Sequence, residues 1–345
     1  MVAQQLPYRL KGFCTTRELP IKGNSGMLSA TSQPDSRSVL LLDDDAADGY
    51  LSLLRSKAPE ITVFPISDVC SQSDCPADVW FGAPDKAAHL LAQGWKPRWL
   101  QLTWAGFSPL LKSSIPDDYL LSRAVDVFGQ PMLEYVLFHM LAHVKPGMSC
   151  SENQERFIWG AVESGTLQGQ RVMLVGAGNI GLYVAQRLTC LGMQVVGVQR
   201  APKESEHLLA TYDLDSFYEH LGEVDFVINI LPDTPETRNL FDRKLFNLMK
   251  SSALFINIGR GSAVVDADLV EAIGNNRIAA AVLDVFRHEP LPPSHQFWIT
   301  PNITITPHIA GPANPEMMVD AFLSNFERFI SNRPLKGSVD LSRGY

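Results

Sequence analysis

Residues 172–181 read VMLVGAGNIG, and this stretch decides the fold. The four apolar residues predict a buried strand, and the G-x-G-x-x-G pattern after them predicts a turn into a helix that starts near Ile180. Gly176 permits the tight turn, Gly178 lets the backbone approach a pyrophosphate, and Gly181 lets the helix pack closely on the strand. Because backbone amides and the positive dipole end collect at a helix start, the stretch predicts a dinucleotide-binding βαβ unit.

Similar short apolar runs, separated by helical patterns, continue on both sides of this stretch. After it they occupy residues 195–198, 226–230, 254–258, 279–283 and 303–305. Before it they occupy residues 39–42, 61–64, 79–81, 99–102 and 125–128. Parallel strands need crossover helices, so the alternation predicts an α/β protein with two parallel-sheet units.

Two helical patterns connect these units. One runs over residues 132–144, and the other repeats apolar residues at helical spacing over residues 319–330. The last helix could return the chain to the first unit, in which case the second unit is an insertion. We therefore predict a substrate domain at residues 37–131 that is completed by residues 312–345, and a nucleotide-binding domain at residues 132–311.

Length and charge narrow the function classes. A chain of 345 residues exceeds the usual size of one hydrophobic core, so two domains are the default. The formal net charge of -8 argues against a general attraction to nucleic acid or anionic membrane, and any anion site must be local. No stretch is apolar for the roughly 18 residues that a membrane helix needs. We expect a soluble, cytoplasmic protein without nucleic-acid or membrane partners.

The cysteines and the start of the chain carry less information. Five scattered cysteines, none in a tight metal-ligand pair, predict reduced thiols and no metal site. Residues 1–36 mix Gly, Ser, Pro and Thr with basic residues and show no periodicity, which predicts a loose tail. The basic, acid-poor bias of this segment also resembles an organelle transit peptide, so its role stays open.

The strand after the glycine turn ends in Val198, Gln199 and Arg200, where a carboxylate would bind the 2′-hydroxyl of NAD. No acid stands at this place in the sequence. Arg200 could instead pair with the 2′-phosphate of NADP through a charge-assisted fork, and Lys203 lies close behind. The alternative is that Arg200 is a solvated surface residue. The segment therefore favours NADP(H) over NAD(H).

Three later segments place polar residues just beyond apolar strands. They read NIGRG at residues 257–261, LDVFRHEPL at residues 283–291 and TPHIAG at residues 306–311. Ligands collect at the carboxyl edge of an open parallel sheet, so the three segments are candidates for one site. Taken singly, an arginine, a glutamate or a histidine at such a place is structural more often than catalytic.

In their order along the chain, the glycine turn and these three segments resemble the D-isomer-specific 2-hydroxyacid dehydrogenase family. The resemblance covers residues 39–345, and the ending GSVDLSRGY at residues 337–345 is most similar to the glyoxylate/hydroxypyruvate reductase A subgroup. It implies a flavodoxin-like substrate domain with an inserted Rossmann domain, and an active cleft between the two. It also implies a homodimer that pairs through the nucleotide domain.

By this resemblance, Arg260, Glu289 and His308 match the catalytic arginine, glutamate and histidine of the family. The chemistry agrees, because reduction of a 2-oxo acid needs a cation for the carboxylate and carbonyl oxygens, and an acid that protonates the developing alkoxide. Arg260 would supply the cation and His308 the acid. Glu289 would orient the imidazole and favour its protonated form.

The resemblance implies further contacts with cofactor and substrate. Asp284 matches an aspartate that contacts the nicotinamide carboxamide, with a turn cap as the alternative. Trp104, Ala105 and Gly106 align with a loop that offers backbone amides to the substrate carboxylate. Trp104 replaces a small residue there, and either narrows the pocket or packs into the core. The residues expected to bind the cofactor are Gly176, Gly178, Asn179, Ile180, Gly181, Gln199, Arg200, Leu231, Pro232, Ile258 and Asp284.

The sequence thus predicts an oxidoreductase that reduces glyoxylate, hydroxypyruvate or a close relative with NADPH. The alternative is a dinucleotide-sensing scaffold, because the family also contains corepressor-like proteins that bind the dinucleotide and recruit partners. The catalytic residues do not exclude this alternative, since such relatives can keep them.

Overall fold

The computed structural model describes residues 38–42, 47–69, 77–111, 115–145 and 147–341. Two parallel β-sheets, of five and seven strands, form the frame of this part of the chain. The tail predicted at residues 1–36 lies outside the described residues, and so do the last four residues of the motif at 337–345.

The strands are β1 (Ser38–Leu41), β2 (Thr62–Pro65), β3 (Val79–Gly82), β4 (Trp99–Leu102), β5 (Leu120–Ser122), β6 (Arg171–Val175), β7 (Gln194–Val198), β8 (Ala210–Tyr212), β9 (Phe226–Asn229), β10 (Leu254–Asn257), β11 (Ala280–Leu283) and β12 (Ile303–Ile305). The α-helices are α1 (Ala47–Lys57), α2 (Ile66–Val69), α3 (Pro84–Ala92), α4 (Gly129–Val144), α5 (Gly147–Glu155), α6 (Asn179–Cys190), α7 (Arg243–Leu248), α8 (Asp266–Gly274) and α9 (Pro315–Ile330). Short 3-10 helices lie at Ser108–Leu111, Phe217–Glu223, Gly261–Ala263 and Gln296–Ile299.

The first sheet has the order β2-β1-β3-β4-β5, and every neighbouring pair is parallel. This is the flavodoxin-like strand order that the resemblance implied. The runs predicted at residues 39–42, 61–64, 79–81 and 99–102 fall on β1 to β4, with ends that differ by no more than one residue.

The strand predicted at residues 125–128 is wrong. β5 lies earlier in the chain, and residues 125–128 are irregular chain beyond its carboxyl end. Val127 and Phe128 are buried in the core beneath α9, so their apolar character reflects packing of a turn rather than strand pairing. Leu120 of β5 is 54% exposed at the sheet edge, which weakens the apolar signal of the real strand.

Helix α9 covers the first sheet. The ring of Phe322 lies 4.5 Å from that of Phe81 in β3 and 5.5 Å from that of Trp99 in β4, between centroids. Such aromatic pairs add about 0.5 to 1.5 kcal/mol each beyond the area they bury. Asn314 caps the helix by accepting two backbone amides. The last helix therefore shares a hydrophobic core with the first strands.

The second sheet has the order β12-β11-β10-β9-β6-β7-β8, again with parallel pairs throughout. Counted from β6, this is the Rossmann order extended by a seventh strand. The order reverses between β6 and β9, which is where such sheets bind dinucleotides. The sequence did not predict β8, because this edge strand has three residues and all are partly exposed.

Helix α4 lies between the two sheets in the chain and packs on the second one. Its buried residues Leu133, Val136 and Met140 contact the cluster formed by α6 and the β6 and β10 strands. The sequence did not predict α5, whose residues GMSCSENQE are largely polar. None of the helices among the described residues is long and apolar enough to cross a membrane.

Candidate active site

The glycine turn after β6 is shaped by close approach to a neighbouring strand. Gly176 has φ +108°, and a Cβ at this position would lie 2.9 Å from the carbonyl carbon of Ile230 and 3.0 Å from the amide of Leu231. Only glycine fits this conformation and space without strain. A Cβ at Gly178 would meet nothing within 4 Å, so the outer side of the turn is open above the start of α6. This open cradle fits a phosphate-bearing cofactor.

Asn179 ties the glycine turn to the first sheet. Its side-chain amide donates to Asp126 Oδ1 at 2.7 Å, and Asp126 lies beyond the end of β5. The side chain of Asn179, a residue predicted to bind the cofactor, is thus used in a hydrogen bond that links the segments following β5 and β6. Its backbone remains in the first turn of α6, where Ile180 follows.

Gln199 and Arg200 lie at the end of β7, as predicted, and have different surroundings. The side chain of Gln199 makes two hydrogen bonds. It donates to the carbonyl of Ala177 in the glycine turn and accepts the amide of Lys203 at 3.0 Å. Arg200 points to solvent, with its guanidinium 4.0 Å from the carboxylate of Glu236. A crevice of about 640 Å³ opens next to them, lined by residues 202–211 apart from His207.

Glu236 lies beside the predicted cofactor residue Arg200, and the sequence did not reveal this contact. Its pKa lies below the usual value because of hydrogen bonds from its own backbone and from Thr234, with a smaller contribution from Arg200. It follows Leu231 and Pro232 on the loop after β9, and no spacing rule links it to the end of β7. This carboxylate competes with any phosphate that approaches Arg200.

Two buried asparagines fix the turns at the ends of β9 and β10. Asn229 donates to Asn257 Oδ1 at 2.9 Å and accepts the amide of Leu231 at 3.1 Å. Asn257 accepts the amide of Gly259 at 3.2 Å and donates to the carbonyl of Arg260 at 3.1 Å. The pair therefore holds both the predicted cofactor-lining turn and the arginine turn in place.

Arg260 meets the predicted substrate loop of the first sheet. A Cβ at Gly106 would overlap Nη2 of the Arg260 guanidinium as that side chain lies here, so the arginine would have to shift to admit a side chain. Burial lowers the pKa of Arg260, while Glu289 and Asp233 act in the opposite direction. Because the ordinary value is so high, the guanidinium stays charged near neutral pH. The arginine therefore presents a cation between the two sheets.

The rest of the predicted substrate loop directly follows β4. Ala105 is partly buried and contacts the core under α9. Trp104 is 48% exposed, so of the two alternatives for this residue, packing into the core is excluded. Ile258 and Leu231 are buried beside the site, and Pro232 accepts a hydrogen bond from Thr237 Oγ1 at 2.6 Å.

His308 and Glu289 form a close pair. His308 Nδ1 lies 2.8 Å from Glu289 Oε2, and Glu289 Oε1 accepts the amide of Phe286 at 2.8 Å. The hydrogen bond to Glu289 raises the pKa of His308 above its ordinary value, against an opposing effect of burial. Burial raises the pKa of Glu289, but the bonds from His308 and Phe286 outweigh it and leave that pKa lowered. Both shifts favour an imidazolium beside a carboxylate.

Asp284 lies at the end of β11 and is only 1% exposed. Its carboxylate accepts the amides of Ile309 and Ala310, each at 2.8 Å. These are the contacts of a turn cap, which was the alternative to a nicotinamide contact. The cap belongs to the turn that carries His308, which adopts φ +55°.

The fold and this site define a class of protein, an oxidoreductase with a Rossmann sheet for a nicotinamide dinucleotide and a separate sheet facing its cleft. The model of the D-isomer specific 2-hydroxyacid dehydrogenase NAD binding domain matches residues 137–310. The chain therefore belongs to the D-isomer specific 2-hydroxyacid dehydrogenase family, as the motifs predicted.

Individual relatives agree with this family. The chain is 34% identical over 248 residues to glyoxylate/hydroxypyruvate reductase A of Photorhabdus laumondii, a match that covers 70% of this chain and 79% of the relative. Among solved structures, a family member from Aeromonas salmonicida has a TM-score of 0.82 at 32% identity, covering 89% of this chain and all of that one. The NADPH-dependent glyoxylate/hydroxypyruvate reductase of Sinorhizobium meliloti, in complex with NADP and sulfate, has a TM-score of 0.80 at 28% identity, covering 89% and 99%.

Proposed function

We propose that this protein reduces glyoxylate, hydroxypyruvate or a close relative to the 2-hydroxy acid with NADPH. The observation that carries the proposal is the 2.8 Å pair of His308 and Glu289, opposite an arginine that abuts the loop of the other sheet. The names of the relatives from Photorhabdus laumondii and Sinorhizobium meliloti support the substrate class.

Each side chain has a task in this reaction. When bound, the nicotinamide cofactor supplies the hydride that C2 of the 2-oxo acid accepts. Arg260 pairs with the substrate carboxylate and stabilises the negative charge that develops on the carbonyl oxygen. His308, held protonated and oriented by Glu289, donates a proton to that oxygen from the other ring nitrogen, Nε2. The product is the 2-hydroxy acid, and His308 regains a proton from solvent.

The proposed preference for NADPH over NADH rests on the charges of the side chains around Arg200. The turn over Gly176, Gly178 and Gly181 would hold the pyrophosphate, and Arg200 would pair with a 2′-phosphate. Gln199 supports this choice because it is neutral where a carboxylate would repel the phosphate. Glu236 opposes the choice from across the loop, at 4.0 Å from Arg200. We therefore infer a preference for NADPH that is modest in size.

We also propose the division of the chain into domains. The substrate domain comprises residues 37–131 and 312–345, and the nucleotide domain comprises residues 132–311. The packing of α9 on Phe81 and Trp99 supports the return of the chain to the first sheet. The packing of α4 on α6 supports assignment of this helix to the nucleotide domain.

We infer a homodimer that pairs through the nucleotide domain. In support of it, the segment after α5 carries Phe157 at 97% and Trp159 at 105% exposure, and Phe138 on the neighbouring α4 is 66% exposed. Large apolar side chains this exposed are typical of an interface. A Trp159→Ser variant should elute with the mass of a monomer by light scattering. Leu120→Ser, a similar change on the first sheet, should leave the mass unchanged.

The deciding experiment is a spectrophotometric assay of NADPH oxidation with a panel of 2-oxo acids. Glyoxylate and hydroxypyruvate should support turnover, and acids with bulky side chains should support less. If NADPH binds but no 2-oxo acid is reduced, the dinucleotide-sensing scaffold becomes the better account of the protein.

A further inference from the structure

A hydrogen-bonded chain leads from helix α4 to the turn that carries His308. Thr306 Oγ1 lies 2.7 Å from Asp284 Oδ1 and 2.6 Å from the hydroxyl of Tyr135. The first contact joins two strand ends of the second sheet, and the second contact reaches across to α4. Neither Tyr135 nor Thr306 takes part in the proposed chemistry itself.

The direction of these bonds follows from the donors available. A threonine hydroxyl has one hydrogen, and an ionised carboxylate can only accept, so Thr306 donates to Asp284. Tyr135 must then donate to Thr306 Oγ1. Burial raises the pKa of Tyr135, and the charge of Asp284 acts in the same direction, so the phenol keeps the proton that it donates. The bonds run one way, from Tyr135 through Thr306 to Asp284.

The turn that carries His308, at the far end of this hydrogen-bonded chain, is the strained part of the site. His308 has φ +55°, in the left-handed region that residues other than glycine seldom adopt. Its amide donates to the carbonyl of Asp284 at 2.9 Å, and the next two amides donate to the carboxylate of the same residue. Asp284 thus accepts hydrogen bonds from the turn with both its backbone carbonyl and its carboxylate. The hydroxyl of Thr306 fixes the rotation of that carboxylate.

We propose that Tyr135 and Thr306 are positioning residues that act through Asp284 to keep the imidazole of His308 against Glu289. This inference rests on the proposed function, because it assigns both residues to the proton-donating step. The sequence predicted no role for Tyr135 and none for Thr306 beyond its place in the TPHIAG segment, and neither contacts the substrate-binding arginine in the structure's described contacts.

Several charged and titratable groups of the described residues lie near this hydrogen-bonded chain. His308 faces Glu289, Asp284 and Arg260. The ring of Tyr135 packs on His139 of the same helix, 4.5 Å between centroids, and burial lowers the pKa of that histidine. The lowered pKa favours the neutral form of His139, although the charge of Asp284 opposes the shift, whereas the raised pKa of His308 favours its imidazolium.

The test compares two replacements of Thr306. Thr306→Val removes the hydroxyl, and kcat should fall by about tenfold, since a small misplacement of a reacting group is costly. KM for glyoxylate and for NADPH should stay within about twofold, because the binding groups are untouched. Thr306→Ser restores the hydroxyl and most of the kcat. Tyr135→Phe leaves Thr306 in place and should cost about threefold.

Two readouts separate positioning from loss of stability. With a looser contact to Glu289, the alkaline limb of the pH profile of kcat should move to lower pH in Thr306→Val. Thr300→Val, which removes a hydroxyl bonded to the carbonyl of Gln296, is the matched control and should keep both kcat and the pH profile. A uniform fall in kcat without a shifted limb, or equal loss in Thr306→Ser, would overturn the inference.

An NMR titration keeps this test independent of the proposed function. The His308 resonance is identified by its absence in a His308→Gln variant, and its pKa is followed in the wild type and in Thr306→Val. The pKa should fall towards the ordinary histidine value in the variant. If the wild type reduces no 2-oxo acid, the proposed function fails while this result still stands; an unchanged His308 pKa overturns the positioning chain itself.

Discussion

The two ends of the proposed cofactor cleft differ in how closely their charged groups pair. At the catalytic end, Glu289 and His308 are 2.8 Å apart with side chains 35% and 54% exposed, beside the partly buried Arg260. At the adenosine end, Arg200 and Glu236 are 4.0 Å apart and 59% and 60% exposed. The shorter, hydrogen-bonded contact interacts more strongly than the longer exposed one, so loss of one charge should matter more at the first end than at the second.

Removal of the imidazole is the strongest test of this contrast. His308→Ala should lower turnover with glyoxylate by about a hundredfold or more, because no other described group stands ready to protonate the alkoxide. NADPH binding, measured by fluorescence titration, should change little. His89→Ala, at an exposed position on α3, serves as the control and should keep full turnover. Wild-type turnover in His308→Ala would end its role as the acid.

Replacement of the arginine tests the same end through its geometry. Arg260→Lys keeps the charge but loses the planar fork, so KM should rise and kcat should fall, with kcat/KM down by about tenfold or more. Steady-state kinetics with glyoxylate measures both constants. Arg277→Lys, an exposed position after α8, should be neutral. Unchanged kinetics in Arg260→Lys would mean that another cation binds the carboxylate.

The pH dependence tests the coupling between Glu289 and His308. Reduction needs the imidazolium, so activity is present below the His308 pKa and is lost as the pH rises through it. Glu289 raises that pKa. Glu289→Gln should therefore move the alkaline limb of kcat/KM to lower pH, with about a tenfold loss for each unit above the new pKa. Glu219→Gln, an exposed control, should leave the limb in place.

The smallest effect is expected at the adenosine end. Because Arg200 is exposed, the wild-type protein should prefer NADPH over NADH by only about tenfold. The Arg200→Ala variant should bring this ratio close to one. Glu236→Gln removes the competing carboxylate and should raise the preference. The ratio of kcat/KM for the two cofactors is the measurement, with Arg277→Ala as the control. A preference that survives Arg200→Ala would place the phosphate contact elsewhere.

The parts of the candidate site that could be predicted from the sequence are those that lie in short motifs. The glycine turn, Arg260, Glu289 and His308 occupy fixed places in short motifs at strand ends, and parallel strands bring such ends to one edge. Tyr135 lies on α4, far along the chain from Thr306, and Glu236 reaches Arg200 across a loop. Contacts of that kind depend on side-chain directions in three dimensions, which motif spacing does not contain.

The fold shows a similar division. Runs that form central strands, such as β4 and β6, are buried on both faces and were predicted within a residue. The edge strand β8 is short and partly exposed, whereas Val127 and Phe128 are buried without strand pairing. Apolar runs report burial, and burial coincides with strand pairing in the middle of a sheet more often than at its margin.

The asparagine pair beneath the cleft has a consequence for the thermodynamics of ligand binding. Asn229 and Asn257 hold the turns of Leu231 and Arg260 through bonds that involve no ligand. The conformational entropy of these turns is therefore lost when the chain folds rather than when the cofactor arrives. An incoming dinucleotide meets a surface that is already organised, so more of its interaction free energy remains as affinity.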